Sequence, residues 1–373
     1  MEIIVAVSIC IIIFIIQQKI YRRYWNEGLD VDIFFDRPFV RTGETACITE
    51  VISNAKRLPL TAFHVKFKTS RTFIFSDTEN SNITDYYHRN DVFSVQAYQK
   101  ITRRLTFRTS KRGYYGISGV NIVAMDFFMS KRFAAVKEND SYFYVFPSRR
   151  YVEELSAIFS TVYGELPVRY GTVEDPYMFG GIREYTTSDS MRRINWKSSA
   201  KTGELMVNIY HYSSEQKIKI LINYETNNMI KPEYLNEMCI EMAGSTAEYF
   251  IDRKLPVSVS ANAPDCITGE IEETDYGATS EHMVFIDKYL ARLGNNEGLD
   301  SFFQILDKEI SNMDKSITYI IFSPYYKDDL LLKLDYLAEN GISVHMITPY
   351  FDISGFENVR SYIHGMEVAF NET

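Results

Sequence analysis

The stretch ITYIIFSPYYKDDLLLKLDYLAENGISVHMI, residues 317–347, decides the fold of the C-terminal part of the chain. Its first six residues, 317–322, are mostly apolar and predict a buried β-strand. Residues 328–340 predict a helix, and Gly341 stands where a glycine often ends one. Residues 342–347 predict a second strand. The stretch therefore has the strand–helix–strand order of a parallel α/β unit.

The same alternation extends toward the N-terminus from this stretch. Further strands are predicted at 217–223 and 256–261, and further helices at 232–253, 283–293 and 299–313. Because strands and helices alternate along the chain, residues 216–373 are predicted to form an open, mostly parallel sheet with helices against it.

Residues 29–150 have a different pattern, in which short segments alternate apolar and polar residues. Strands are predicted at 31–35, 45–53, 63–68, 105–108, 120–124 and 142–146. Turn-forming dipeptides such as Thr42-Gly43 and Arg112-Gly113 separate them. Short strands with regular turns are typical of a β-sandwich, and we predict a β-sandwich-like domain here.

The first 25 residues predict a membrane anchor. Residues 3–16 are apolar except for Ser8, and extension to Ile20 gives about 27 Å of helix. A cleaved signal peptide is the alternative, but it calls for a basic start and small residues at the cleavage site. Arg22 and Arg23 follow the apolar stretch. The positive-inside rule then predicts a single-pass protein of the cell membrane with its soluble domains in the cytoplasm.

The predicted fold class is thus α+β and multidomain. Its parts are a transmembrane anchor at 1–25, a β-sandwich-like domain at 29–150, a connecting region at 151–215 and an α/β domain at 216–373. Within the connecting region we predict a short helix at 151–163 and a turn-rich stretch at 164–181.

Composition excludes several protein classes. The chain has 373 residues, 46% of them hydrophobic, with 18 Gly and 10 Pro, which excludes general disorder and collagen-like structure. Residues 1–150 hold 22 Lys and Arg against 14 Asp and Glu, and the rest of the chain is acidic. These basic residues are dispersed along the predicted strands, and we expect no nucleic-acid partner. The four cysteines form no CxxC pair, which argues against a disulfide framework or a zinc site.

The densest polar segment is GGIREYTTSDSMRRINWKSSAKTGEL, residues 180–205. Asp189 is predicted to cap a short helix that begins near Ser190. On that helix Arg192 and Trp196 would share one face, four residues apart, while Ile194 would point toward the core.

This segment resembles the signature of domain-of-unknown-function family 58, whose members are related to the von Willebrand factor A fold. The matching residues are Gly181, Arg183, Tyr185, Asp189, Arg192, Ile194, Trp196, Lys197, Ser199, Ala200, Gly203 and Leu205. The sequence departs from the family pattern at Ser188, Asn195 and Lys201. Residues 111–116 and 126–128 also resemble family stretches.

The resemblance implies an N-terminal anchor, a β-rich region and a von Willebrand factor A-like domain at 216–373. It also implies a binding site in the signature, for which the candidate residues are Gly181, Arg183, Tyr185, Asp189, Arg192, Trp196 and Lys197.

Active domains of the A type hold Mg²⁺ with a D-x-S-x-S motif after the first strand. The matching positions here are Asn223, Glu225 and Asn227, which makes the site degenerate. Oxygen ligands suit Mg²⁺, but the Asp and both Ser are missing. Ser323-Pro324 stands where a Ser-Asp pair is expected. We therefore expect no bound metal and no cofactor.

The resemblance implies a binding and scaffold protein rather than an enzyme. The expected partners are a MoxR-type AAA+ ATPase and a transglutaminase-like membrane protein, in an envelope-related or chaperone-like system. Two alternatives remain open. One is a surface-exposed adhesin or sugar-binding protein, which requires the opposite topology. The other is a hydrolase that uses the carboxylate of Glu225.

Overall fold

The structure of the protein is a computed structural model. It describes residues 2–149, 152–165, 170–186, 189–213, 216–225, 232–294, 302–350 and 360–367. The described parts form two compact units, Met1–Ser148 and Arg149–Thr373. The region predicted as a connector at 151–215 thus falls within the second unit.

The helices are α1 (Glu2–Tyr24), α2 (Val152–Glu165), α3 (Trp196–Thr202), α4 (Pro232–Asp252), α5 (Ser280–Arg292), α6 (Phe302–Asn312) and α7 (Asp328–Glu339). The strands of the first unit are β1 (Leu29–Phe35), β2 (Phe39–Arg41), β3 (Thr45–Asn54), β4 (Leu60–Ser70), β5 (Phe73–Phe75), β6 (Ser81–Ile83), β7 (Tyr86–Val95), β8 (Lys100–Thr109), β9 (Gly113–Met125) and β10 (Arg132–Phe146). Those of the second unit are β11 (Tyr170–Glu184), β12 (Met206–Ser213), β13 (Lys217–Ile222), β14 (Val257–Ala261), β15 (Ile317–Phe322), β16 (Ser343–Tyr350) and β17 (Ile363–Glu367).

The first unit contains two sheets around a common apolar core. Their strand orders are β1-β3-β8-β5 and β2-β10-β9-β4-β7-β6, and the pairings are antiparallel apart from β2 with β10. Side chains from both sheets meet in the core, for example Phe35 with Phe143 at 4.6 Å between ring centroids. The β-rich region predicted from the alternating pattern is therefore present.

Strand β7 was not predicted, because charged residues occupy its inward-facing positions. Arg89 and Asp91 are both buried there. Arg89 donates to Asp91 at 2.6 Å and to Asp77 at 2.8 Å, and Arg103 donates to both carboxylates at 2.8 Å. Two cations and two anions therefore compensate each other in a cluster of which Arg89 and Asp91 are the buried part.

Glu50 on β3 adds a fifth ionisable group to this cluster. It is fully buried, and burial together with the nearby charge of Asp91 raises its pKa to about 8. Glu50 is therefore uncharged at neutral pH, which keeps the cluster in charge balance.

Helix α1 is long and apolar enough to cross a membrane, over Ile3–Tyr24 with a mean hydropathy of 2.5. Its apolar part is exposed, whereas Tyr21 near its end and Trp25 just beyond it are buried in the core of the first unit. The predicted apolar helix is therefore present, and its C-terminal end is attached to the β-rich unit.

The second unit has a parallel sheet with the order β14-β13-β15-β16-β17 among the described residues. Ile218, Ile220 and Ile222 of β13 face α2, α4 and α5. On the opposite face, Leu221 and Tyr319 belong to the core that includes α6 and α7. Helices thus cover both faces, and the predicted parallel α/β sheet is present. Strand β17 was not predicted, since it is a short and partly polar edge strand.

The turn-rich stretch predicted at 164–181 is wrong over most of its length. Helix α2 continues to Glu165, and β11 starts at Tyr170 and pairs with β12. The register of this pair shifts between Glu174 and Phe179, around Pro176. A proline lacks an N–H donor and is tolerated in strands at such irregular positions, so it did not end the strand.

Lys219 is buried in β13 between the sheet and α6. Its ammonium donates to Glu309 at 2.6 Å and to Glu273 at 2.9 Å, and the Tyr319 hydroxyl donates to Glu309 at 2.9 Å. Burial alone would lower the pKa of Lys219, but the hydrogen bonds to the two carboxylates raise it above its ordinary value. This network fixes α6 on its face of the sheet.

Raising the pH should destabilise the first unit through Glu50. Its pKa is raised in the folded chain from 4.5 to about 8, so the stabilisation present at low pH is lost as the pH rises through that interval. The loss amounts to about 1.4 kcal/mol per pH unit at its steepest. Urea unfolding in detergent measures this loss. The Trp196→Phe chain is used, so that the fluorescence reports buried Trp25 alone. The Glu50→Gln variant should lack this contribution, and an identical pH profile in the two chains would contradict the assignment.

Removing only one member of the Lys219–Glu309 pair should destabilise the second unit. Lys219→Met leaves a buried carboxylate without its cation, and a loss of about 3–5 kcal/mol is expected. The double variant Lys219→Met, Glu309→Gln removes both charges and keeps an acceptor for Tyr319, so it should lose less than Lys219→Met alone. Urea unfolding followed by far-UV circular dichroism measures both losses. A double variant that is no more stable than Lys219→Met alone would show that the two residues are not coupled.

Candidate functional site

The signature of residues 180–205 lies on the ribbon formed by β11 and β12 and on the chain between them. Arg183 of β11 makes a bidentate ion pair with Asp189. Its two terminal guanidinium nitrogens donate to the two carboxylate oxygens at 2.7 and 2.6 Å. Asp189 also accepts hydrogen bonds from the backbone N–H and the hydroxyl of Thr186. These hydrogen bonds hold the pKa of Asp189 far below its usual range. The pair closes a turn, and Asp189 is a structural acceptor within it.

Asn195 begins helix α3. Its side-chain oxygen accepts from the Ser198 N–H at 3.0 Å, and its amide group donates to Asn208 of β12 at 2.7 Å. Gly203 ends the helix with φ of +82°, a left-handed conformation that suits glycine. The family pattern has Asp where this chain has Asn195, and an aspartate could not donate the second of these hydrogen bonds.

The predicted helix starting near Ser190 with Asp189 as its cap is therefore wrong. A single 3₁₀ turn covers Met191–Arg193, and α3 starts only at Trp196. The reason is that the Asp189 carboxylate is already bonded to Arg183 and Thr186, while Asn195 satisfies the N–H groups of the next helix. Arg192 and Trp196 consequently lie on different elements and do not share a helix face.

The structure divides the seven candidate residues into two groups. Gly181 has φ of +150°, and Tyr185, Arg183 and Asp189 belong to the ribbon and its turn. Arg192, Trp196 and Lys197 are exposed, with 69% of Trp196 accessible. We call these three residues the signature surface. Ile194 is buried beside β12, where it bridges to Val207, as predicted.

Met191 is a further exposed residue of this segment that the sequence pattern did not single out, with 74% of its surface accessible. An apolar side chain within a strongly polar run was the available signal. Large exposed apolar residues next to cations are typical of binding surfaces for other proteins.

A second candidate site lies at the carboxyl edge of the parallel sheet. The strand order reverses between β13 and β15, and ligands of open α/β sheets bind at such a switch point. Asn223 follows β13 and donates to the Ser323 hydroxyl, which follows β15, at 3.0 Å. Both residues are fully buried. The switch point is therefore bridged by a direct hydrogen bond between side chains.

The neighbouring polar groups complete this network. Asn262, which follows β14, accepts from the Tyr224 N–H at 2.8 Å and donates to Asn223 at 3.3 Å. Glu225 accepts from the Phe302 N–H at the start of α6 at 3.0 Å. Asn227, the third position of the degenerate metal motif, lies outside the described residues. The part of the motif that is described thus takes part in hydrogen bonds within the protein.

Asn262 was missed by the sequence analysis, although an asparagine directly after a buried strand was an available signal. Among the described residues, no group of three or more His, Cys, Asp or Glu side chains is arranged to hold a metal ion. The Ser323 hydroxyl also donates to the Tyr325 carbonyl, and the Tyr325 hydroxyl donates to the Asp329 carboxylate at 2.7 Å.

No protein-family model matches the chain, and no curated protein matches it. Several solved structures match about a third of it. AvmM, which catalyses macrocyclization in alchivemycin A biosynthesis, has 12% identity and a TM-score of 0.24, with 34% of this chain and 94% of that chain covered. A non-cellulosomal cohesin from the archaeon Archaeoglobus fulgidus has 13% identity and a TM-score of 0.23, with 34% and 96% covered. A sporulation control protein from Bacillus subtilis has 12% identity and a TM-score of 0.20, with 35% and 56% covered. At these TM-scores the likenesses carry no argument about this chain.

Substitutions in the signature should distinguish residues that stabilise the segment from residues that are only exposed on it. Asn195→Ala removes the cap of α3 and the bond to Asn208 and should destabilise this segment by about 1 kcal/mol. Trp196→Ala removes an exposed ring and should change stability by less than about 0.5 kcal/mol. Hydrogen–deuterium exchange of peptides that cover α3 and β12 measures both effects. Equal loss of protection in the two variants would show that Trp196 has a structural role.

Proposed function

We propose that the protein is a membrane-anchored, cytoplasm-facing adaptor that binds a partner protein through its signature surface. The observation that carries this proposal is the exposed ring of Trp196 at the start of α3, with exposed Lys197 beside it in the chain and exposed Arg192 on the preceding 3₁₀ turn. Tryptophan and arginine dominate the binding energy of protein interfaces. A preorganised segment also lowers the entropic cost of binding.

The rigidity of this surface has an identifiable source. The Arg183–Asp189 pair holds the chain before the 3₁₀ turn, and Asn195 holds the chain after it. Ile194 is buried between them. The exposed residues are thus attached to a backbone that is fixed on both sides, which suits recognition by a folded partner.

The hydrogen bonds at the carboxyl edge of the sheet argue against the hydrolase alternative, because they are made within the protein. Asn223, Ser323 and Asn262 are hydrogen-bonded to one another or to the backbone. A ligand at the switch point would have to replace these bonds, at the desolvation cost of each buried group. Glu225, the candidate acid of the hydrolase alternative, already accepts a bond from the start of α6.

The apolar helix α1 supports attachment to the membrane, and the cations after its apolar stretch support a cytoplasmic location of both units. The resemblance to family 58 supports a MoxR-type AAA+ ATPase as the partner, with a transglutaminase-like membrane protein in the same system. The parallel sheet with helices on both faces agrees with the von Willebrand factor A-like domain that this resemblance implies.

A pull-down of the tagged full-length protein from its native membranes, in mild detergent and with or without ATP, tests this function. We expect recovery of an AAA+ ATPase. Trp196→Ala should weaken the binding of the ATPase by about 2 kcal/mol or more, and Arg192→Ala should weaken this binding as well. The matched control is Leu332→Ala, which removes an apolar side chain of similar exposure, 65%, from α7.

Recovery that falls equally in Trp196→Ala and Leu332→Ala would contradict the assignment of the surface. Recovery of secreted or cell-wall material without an ATPase would contradict the adaptor function and favour the adhesin alternative.

A further inference from the structure

The loop between β9 and β10 exposes three consecutive large apolar side chains. Phe127, Phe128 and Met129 are 56%, 54% and 59% accessible. Scattered apolar residues are normal on a protein surface, but three adjacent ones at a hairpin tip need a partner that removes them from water. We call residues 126–131 the hairpin tip.

The hairpin tip is attached to helix α1. The rings of Phe14 and Phe128 lie 5.8 Å apart between centroids. The side-chain amide of Gln17 donates to the Asp126 carboxylate at 2.8 Å, and that of Gln18 donates to the Ser130 hydroxyl at 3.1 Å. The exposed apolar residues of the tip thus continue the exposed apolar surface of the helix.

The conformation of the tip is fixed from within. Asp126 is buried, and its carboxylate accepts hydrogen bonds from the backbone N–H groups of Ser130 and Lys131 and from the Ser130 hydroxyl. Met129 has φ of +56°, and its N–H donates to the Asp126 carbonyl at 2.8 Å. A turn with this many internal bonds holds its apolar side chains outward at a lower entropic cost.

We propose that the hairpin tip inserts into the lipid bilayer beside α1 and forms a second membrane contact of the first unit. The proposal rests on the membrane attachment in the proposed function. It also names the part of the β-rich unit that contacts the lipid. The occupant of the apolar surface is the bilayer itself, because this surface is continuous with that of a helix long enough to span it.

Helix dimensions place the tip at membrane depth. The uninterrupted apolar stretch of residues 3–16 gives about 21 Å of helix, well short of the ~30 Å hydrocarbon thickness. Phe14, which contacts Phe128, is three residues and about 4.5 Å before Gln17 along the helix. The tip therefore adds apolar surface on the side where the helix is short. Its polar groups accept hydrogen bonds from the side-chain N–H groups of Gln17 and Gln18 at the boundary, where an unpaired donor would be costly.

The charges around this region suit an anionic lipid surface. Lys19, Arg22 and Arg23 follow the apolar part of α1, and Lys131 and Arg132 follow the apolar residues of the tip. All five are exposed. Cations next to an inserted segment are attracted to anionic headgroups. Two adjacent insertions would also fix the orientation of the β-rich unit on the membrane, which a single helix does not.

Tryptophan quenching by brominated lipids tests the insertion in the full-length chain. The Trp196→Phe protein, which keeps buried Trp25, is the parent, and each new signal is the difference from it. Phe128→Trp probes the tip, and Phe14→Trp probes the helix. Ile83→Trp is the matched control, because Ile83 is 61% exposed and lies far from the tip. It pairs with Tyr87, which pairs with Thr69 of β4, while Phe63 of β4 pairs with Ala124 beside the tip. The six residues of β4 between these positions span about 20 Å. The proteins are reconstituted in phosphatidylcholine–phosphatidylglycerol vesicles with bromine on the acyl chains.

We expect Phe128→Trp and Phe14→Trp to lose most of their fluorescence to the brominated lipid and Ile83→Trp to keep it. Quenching of Phe14→Trp without quenching of Phe128→Trp would overturn the insertion of the tip and leave the anchor intact. Quenching of neither would overturn both the insertion and the membrane attachment. Equal quenching at Phe128→Trp and Ile83→Trp would show that the unit lies flat on the bilayer, and a contact specific to the tip would be wrong.

Discussion

The buried ion pair between Lys219 and Glu309 is the constraint on which the second unit depends. Lys219 lies in β13 between β14 and β15, and only 7% of its side chain is exposed, so its ammonium must be paired. Helix α6 supplies the carboxylate and must therefore cross this face at a fixed position. The opposite face of the same strand is purely apolar and takes α4. Apolar packing therefore holds the helices on both faces, and the ion pair adds a directional constraint on the face of α6 and α7.

Hydrogen bonds between polar side chains also shape the two candidate sites. They leave one site closed to ligands and the other with side chains exposed to a partner. At the switch point, Asn223 and Ser323 satisfy each other. In the signature, Arg183 and Asp189 pair and leave the neighbouring Trp196 exposed on a fixed backbone. Both sets of hydrogen bonds fix the local backbone, but the one in the signature lies beside an exposed aromatic ring and the one at the switch point is fully buried.

The sequence predicted the secondary structure well where one physical pattern dominated. It predicted the structure poorly where two patterns competed. The strands β13 to β16 were predicted because Val and Ile recur along them, and α7 was predicted because a terminal glycine marks its end. Strand β7 was missed because Arg89 and Asp91 occupy core positions, which reverses the expected alternation. The cap of the signature helix was assigned to Asp189 because the local pattern allowed it, and the carboxylate was instead taken by Arg183, which lies six residues away.

The sequence by itself determined the class of each region, since apolar periodicity and turn residues act over short distances: an apolar helix, a β-rich unit and a parallel α/β unit. It also determined which signature residues carry charge or an aromatic ring. Only the tertiary structure decided which of these residues are exposed, and that Phe128 lies against Phe14 although 114 residues separate them. Contacts of this kind depend on how distant segments pack, and no local pattern in the chain encodes them.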